Sequence, residues 1–159
     1  MALSFIETMR GAVTDANGRE HPLAFHVRTQ QLNGGHFALE GVVHASGFGD
    51  EAPCEGTLDL SLAPPALRYR VRWSAGGDDL VLSGAKAPSL LAPVKSMTVL
   101  PVTLARASGG RLASGTLRFD LFDLPAFLKS WLPVPTRGRR RFEARHVAVS
   151  RRALVGAAR

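Results

Sequence analysis

The amino-acid sequence predicts an all-β protein: a single antiparallel up-and-down β-barrel of about eight strands, lipocalin-like in class, with one short C-terminal helix. Three observations predict it. Apolar and polar residues alternate with a period of two in "LRYRVRW" and "GTLDLSL", the spacing that sends successive side chains to opposite faces of a strand. Turn-forming clusters such as "TDANG", "NGG", "APPA", "AGG" and "RASGGR" recur at short intervals, as they do between hairpin strands. Only one segment, "DLPAFLKSWLP", has helical spacing. Sequential antiparallel strands of this kind favour closure, because a barrel leaves no exposed edge.

Taken in order, "SFIETMRGAV", "HPLAFHVR" and "HFALEGVVH" read as the first three strands. "GTLDLSL" follows, with Leu58, Leu60 and Leu62 inward and Thr57, Asp59 and Ser61 outward. In "LRYRVRW", Leu67, Tyr69, Val71 and Trp73 form the inward row, while Arg68, Arg70 and Arg72 form a solvated face. The two prolines of "APPA" separate these strands, since proline cannot continue a ladder. "DDLVLSG", "SMTVLPVTLA" and "GTLRFDLF" complete the set. The helix is placed near residues 124–131: Asp123 serves as N-cap, Leu124, Phe127, Leu128 and Trp131 form its stripe, and Pro133 stops it.

Charge divides the chain. Residues 137–159 hold eight arginines (Arg137, Arg139, Arg140, Arg141, Arg145, Arg151, Arg152 and Arg159) and one acid, Glu143, which accounts for the whole net charge of +7. Residues 1–136, the expected barrel domain, are neutral. A duplex-binding face spreads its basic residues over the fold, so the basic footprint belongs to an arginine-rich C-terminal segment instead. The run Arg137–Arg141 should be extended and solvated, because close like charges repel. "RFEARHVAVS" reads either as a final strand or as the start of a basic helix. The anion-binding candidates are Arg137, Arg139, Arg140, Arg141, Arg145, Arg151 and Arg152, and any attachment they make should be independent of sequence and fall steeply with salt.

A chain of 159 residues buries enough surface to fold without metal or disulfide, and the single cysteine, Cys54, forbids an intramolecular bridge. Glu7 interrupts the apolar run that a secretory signal would need, and no stretch reaches the length of a membrane span; the expected location is cytoplasmic. Arginine outnumbers lysine 17 to 3, as expected of a GC-rich bacterial coding bias.

Motifs of catalysis are few. "GFGDEA" matches the letters G-x-G-x-x-A, but Asp50 and Glu51 would repel a pyrophosphate, and Pro53 leads into a strand rather than the helix such a site needs. His36, Glu40 and His44 share one face of a strand, yet the two histidines would stand roughly 26 Å apart, too far for a shared metal. His21 and His26 read as surface or hairpin histidines. Cys54, in a loop beside Glu55, lacks the positive charge that would activate it. Lys86, after a strand and a glycine, is expected at a barrel mouth, where convergent polar groups orient a ligand.

The order "F-x-E-T-M-R-G", "LRYRVRW" before a glycine turn, "L-x-L-x-G-x-K", "MTVLPVTL" and "GTLRFDLFDLPAFL" resembles the accessory module of bacterial cholesterol-oxidase-like flavoproteins of the glucose–methanol–choline oxidoreductase group, over about residues 4–131. The resemblance implies a non-catalytic β-rich unit with an oxidoreductase partner. It transfers no catalytic residue.

Three readings follow. The first is a non-catalytic barrel that binds a lipid or another apolar small molecule, or serves as an accessory module to a sterol-type oxidoreductase. Its ligand-lining candidates are Leu58, Leu60, Leu67, Tyr69, Val71, Trp73 and Lys86, and no cofactor is called for. The second is a small enzyme using Lys86, Glu40 and Tyr69. The third is nucleic-acid or anionic-surface association through the basic segment.

Overall fold

The computed structural model describes residues 4–87 and 98–119. They form eight strands: β1 (Ser4–Asp15), β2 (Glu20–Asn33), β3 (His36–Ala45), β4 (Gly49–Leu62), β5 (Pro65–Ala75), β6 (Asp78–Lys86), β7 (Val99–Arg106) and β8 (Arg111–Phe119). Each pairs antiparallel with its neighbour in the chain, and β8 returns to β1, so the sheet is a closed up-and-down barrel. The expected helix at 124–131 and the arginine-rich segment lie outside the described residues. Among the described residues no helix is long and apolar enough to cross a membrane.

Strand register fixes the geometry of the barrel. A row of paired residues that starts at Thr14 on β1 passes through Ser114, Thr103, Ser83, Arg70, Thr57, Ala38 and Gln30 and comes back to β1 at Ser4, ten residues away. That offset, with ordinary strand spacing and rise, tilts the strands about 40° from the barrel axis. The β1–β2, β3–β4, β5–β6 and β7–β8 turns gather at one end, called the hairpin end below. The opposite end holds the start of β1, the β2–β3 and β4–β5 turns, and the last residues of β6 and β8.

The lumen is packed. Met9, Leu23, Phe25, Leu39, Leu58, Leu67, Leu100, Leu104 and Leu117 are among its fully buried side chains, one contiguous core drawn from all eight strands. Barrels of eight strands are just wide enough for such filling. Glycines on the inward rows let the strands bend: a Cβ at Gly41 would overlap the His26 carbonyl oxygen, and one at Gly56 the Arg70 carbonyl oxygen. Neighbouring strands come this close only where no side chain intervenes.

The alternation of β5 holds as expected, with Leu67, Tyr69, Val71 and Trp73 buried and Arg68, Arg70 and Arg72 exposed. Several boundaries differ from expectation: β2 runs on past Arg28 to Asn33, and β6 past Gly84 to Lys86, which is a strand residue and does not follow the strand. β4 begins at Gly49, so "DEAPCE" is strand and Cys54 is a buried strand residue, in register with Gly41 on one side and Trp73 on the other. Steeply tilted strands must be long to cross the barrel, and β4 gains its length by bulging against β3 between Val43 and Ala45. β8 begins at Arg111, which pairs with Ala105 beyond a shift in register, and Ala113 then pairs with both Leu104 and Asp15.

Candidate functional site

The buried polar group of this barrel was not legible as such in the sequence. Glu7, read only as a break in an apolar run, lies on the inward row of β1 between Phe5 and Met9 and is wholly buried. β1 and β5 face each other across an eight-stranded barrel, and the Glu7 carboxylate meets Tyr69 there: the Tyr69 hydroxyl donates to Oε2 at 2.7 Å. Thr29 of β2, also wholly buried, donates its hydroxyl to Oε1 at 2.7 Å. The carboxylate therefore bridges the lumen with a donor on each oxygen, which offsets the large cost of placing a charge away from water. Burial first, and then the charge and hydrogen bond of Glu7, hold the Tyr69 phenol well above its ordinary range. Tyr69 is boxed by Phe25 and Phe119, with ring centroids 6.3 and 6.2 Å away.

Lys86 stands at the same level. It ends β6 in register with the buried Leu67, while Gly84, two residues earlier, pairs with Tyr69. From the strand tilt and register, Glu7, Tyr69 and Lys86 fall within about 3 Å of one another along the barrel axis. Lys86 Nζ donates to the Val99 carbonyl oxygen, and burial lowers its amine to about 8. Phe5 and Leu60, partly buried against the core, rim this end, and the Phe5 and Phe37 rings meet edge to face at 6.2 Å.

The lowered amine has a consequence for stability. Folded Lys86 releases its proton near pH 8, whereas an unfolded lysine does so near 10.4. Between those values the unfolded chain binds more protons, so this residue's contribution becomes more favourable as pH rises. Relative to Lys86→Met, the wild-type protein should gain on the order of 1 kcal/mol from pH 8 to 10.5, a figure reduced for the amine's partial hydration. Urea unfolding of both proteins across that window checks it; a constant difference would contradict the buried-amine assignment.

The hairpin end is shut by its own turns. His21 Nε2 lies 2.9 Å from Asp15 Oδ2, its Nδ1 lies 3.0 Å from the Ser46 carbonyl oxygen, and its ring packs on Phe48 at 4.8 Å. Trp73 Nε1 donates to the Phe48 carbonyl oxygen at 2.7 Å. The His21 hydrogen bond, aided by the Arg19 amide, holds the Asp15 carboxyl below its usual value.

The remaining candidates separate cleanly. Leu58, Leu60, Leu67, Tyr69, Val71 and Trp73 all lie on inward rows of β4 and β5. Val71 is fully buried, and Trp73 is committed to the hairpin end. Glu40 faces outward on β3, paired with Arg28 and Glu55. It is on the opposite face of the sheet from Tyr69 and Lys86, so that proposed trio does not converge. His36, Glu40 and His44 are all exposed on β3; His36 pairs with Asp59 and His44 with Asp50. His26 lies against Thr8. No group of metal-ligating side chains occurs among the described residues. "GFGDEA" leads into β4, not a helix. Burial pushes the Cys54 thiol up to about 11, which leaves it protonated and unreactive at neutral pH. The arginine candidates from Arg137 to Arg152 lie outside the described residues.

The sequence signal for Glu7 was the alternation itself: in "F-I-E-T-M-R-G-A-V" the period-two row through Phe5, Met9 and Val13 passes through Glu7.

No protein-family model matches the chain, and no curated protein matches it in sequence. Among solved structures it is similar to a redesigned β-barrel, mFAP1, bound to DFHBI, at 14% identity and a TM-score of 0.46, over 71% of this chain and 91% of that one.

Proposed function

We propose that the protein is a non-catalytic binding barrel whose site is the end of the lumen opposite the hairpins. The ligand is small and amphipathic: its apolar part lies against Phe5 and Leu60, and an oxygen-bearing head group faces Lys86. The observation that carries this reading is the gathering of Glu7, Thr29, Tyr69 and Lys86 at one level of a lumen whose other fully buried side chains, among the described residues, are apolar. A few convergent polar groups in an apolar surround are the usual composition of a small-molecule site. Buried ionic groups are weak stabilisers compared with packed hydrocarbon, so stability alone gives little reason for them. The filled middle of the barrel and the shut hairpin end confine the ligand to this mouth.

Calorimetric titration of decanol and decanoic acid tests the reading. Saturable binding at one site per chain is expected. It should be lost in Leu60→Arg, which puts a charge at the rim, and kept in Val42→Arg on the outer face, where Val42 is already exposed. No saturable binding of either compound, or equal loss in both variants with circular dichroism unchanged, overturns it. A place as accessory module to an oxidoreductase remains part of the proposal: where they lie within the described residues, the segments that carry the sequence resemblance fall on β1, β5, β6, β7 and β8, and co-purification of a flavoprotein would bear on it.

A further inference from the structure

We propose that Lys86 captures an apolar aldehyde as a reversible imine, so that the barrel holds and releases a reactive carbonyl compound. This rests on the binding reading above and names its ligand class.

The geometry is that of a side chain held for reaction at a mouth. Lys86 is the last residue of β6 and lies on the inward row beside Leu67. Its one described partner is a neutral main-chain carbonyl, that of Val99, so the nitrogen can leave that bond without breaking an ion pair among the described residues. Both oxygens of the carboxylate at this level, Glu7, already accept hydroxyl protons from Thr29 and Tyr69. Phe5 and Leu60, partly buried against the core, present the apolar surface on which an alkyl chain would lie, with the buried Phe37 and Leu67 beneath them. The chemistry needs an unprotonated amine, and a lysine desolvated in an apolar pocket supplies one; burial here brings the amine to about 8.

The step balances without oxidant or reductant. The nitrogen lone pair attacks the aldehyde carbon, and the carbonyl π electrons move to oxygen, which takes up the proton lost from nitrogen to give a carbinolamine. The carbinolamine hydroxyl then leaves as water with a proton from solvent, as the nitrogen lone pair forms the C=N bond, and the iminium returns its remaining N–H proton to solvent to give the imine. Amine and aldehyde become imine and water, and hydrolysis reverses it. Among the described residues, the other titratable groups on the inward rows at this end are Glu7 on β1 and Tyr69 on β5. Tyr69 keeps its proton throughout the neutral range, so the pH dependence of capture follows Lys86: it rises as pH rises towards about 8 and levels off above it.

The chain contains three lysines, Lys86, Lys95 and Lys129, which makes the experiment site-resolved. Full-length protein is incubated with decanal and sodium cyanoborohydride, which reduces the imine to a stable amine, and the adduct is mapped by peptide mass spectrometry. Labelling of Lys86 should exceed that of either other lysine at least about tenfold near neutral pH. It should vanish in Lys86→Arg, which keeps a cation able to donate a hydrogen bond. Equal labelling of the three lysines, or none at Lys86, overturns the proposal. Decanol titrated into the same protein separates the two failures: decanol bound without an adduct at Lys86 refutes imine capture alone, whereas absence of both refutes the site itself.

Discussion

Glu7→Ala is expected to be among the most destabilising single substitutions in the barrel, at about 3–5 kcal/mol. Two losses combine. The buried Tyr69 and Thr29 hydroxyls lose their acceptor, and each orphaned buried group costs about 1–3 kcal/mol. The removed side chain also leaves a void in a packed lumen. A domain of ordinary stability has only about 5–15 kcal/mol to lose, so chemical denaturation should show a large fall in midpoint. Glu7→Gln keeps a side chain of the same shape and one acceptor oxygen, and should cost about 1–2 kcal/mol. The triple variant Glu7→Leu, Thr29→Val, Tyr69→Phe removes charge and donors together and should recover most of the loss, since a buried polar cluster exchanged for hydrocarbon of similar volume is often neutral or stabilising. If Glu7→Ala is silent and the triple variant is far worse, the bridge across the lumen does not exist in solution.

Val71→Asp should unfold the barrel, while its neighbour Arg70→Ser should change stability by at most about 0.5 kcal/mol. Val71 is fully buried in mid-strand, between Gly56 on β4 and Leu82 on β6. A carboxylate there has no donor opposite it, and its desolvation costs several kcal/mol. Arg70 faces solvent between Thr57 and Ser83. Register makes the contrast sharp, because slipping β5 by one residue to rescue the aspartate would expose Leu67, Tyr69 and Trp73 together. Circular dichroism and thermal unfolding of the two variants read it directly, and equal effects would mean that the faces of β5 are misassigned.

The barrel was legible because alternation is a local signal. In "LRYRVRW" each residue's face follows from its parity, and turns such as "NGG" and "RASGGR" announce their hairpins without reference to anything distant. Strand limits were less legible. Nothing local in "DEAPCE" outweighs Pro53 and the acids, and it becomes strand because β3 and β5 on either side offer it partners. Glu7 was misjudged for a related reason: a carboxylate in an apolar row looks like an interruption until its donors are known, and they come from positions 22 and 62 residues away in the chain.

By itself, then, the sequence determined the class of fold, the number and order of strands and the inward row of β5, since each depends on neighbours one or two residues apart. Tertiary structure alone decided that the sheet closes with a ten-residue offset, that Glu40 lies on the outer face while Lys86 lies on the inner, and that Glu7 reaches across the lumen to Tyr69. Those outcomes depend on how tilted strands wrap around a common axis, and residues far apart in sequence reach one height in a barrel only once its register is complete.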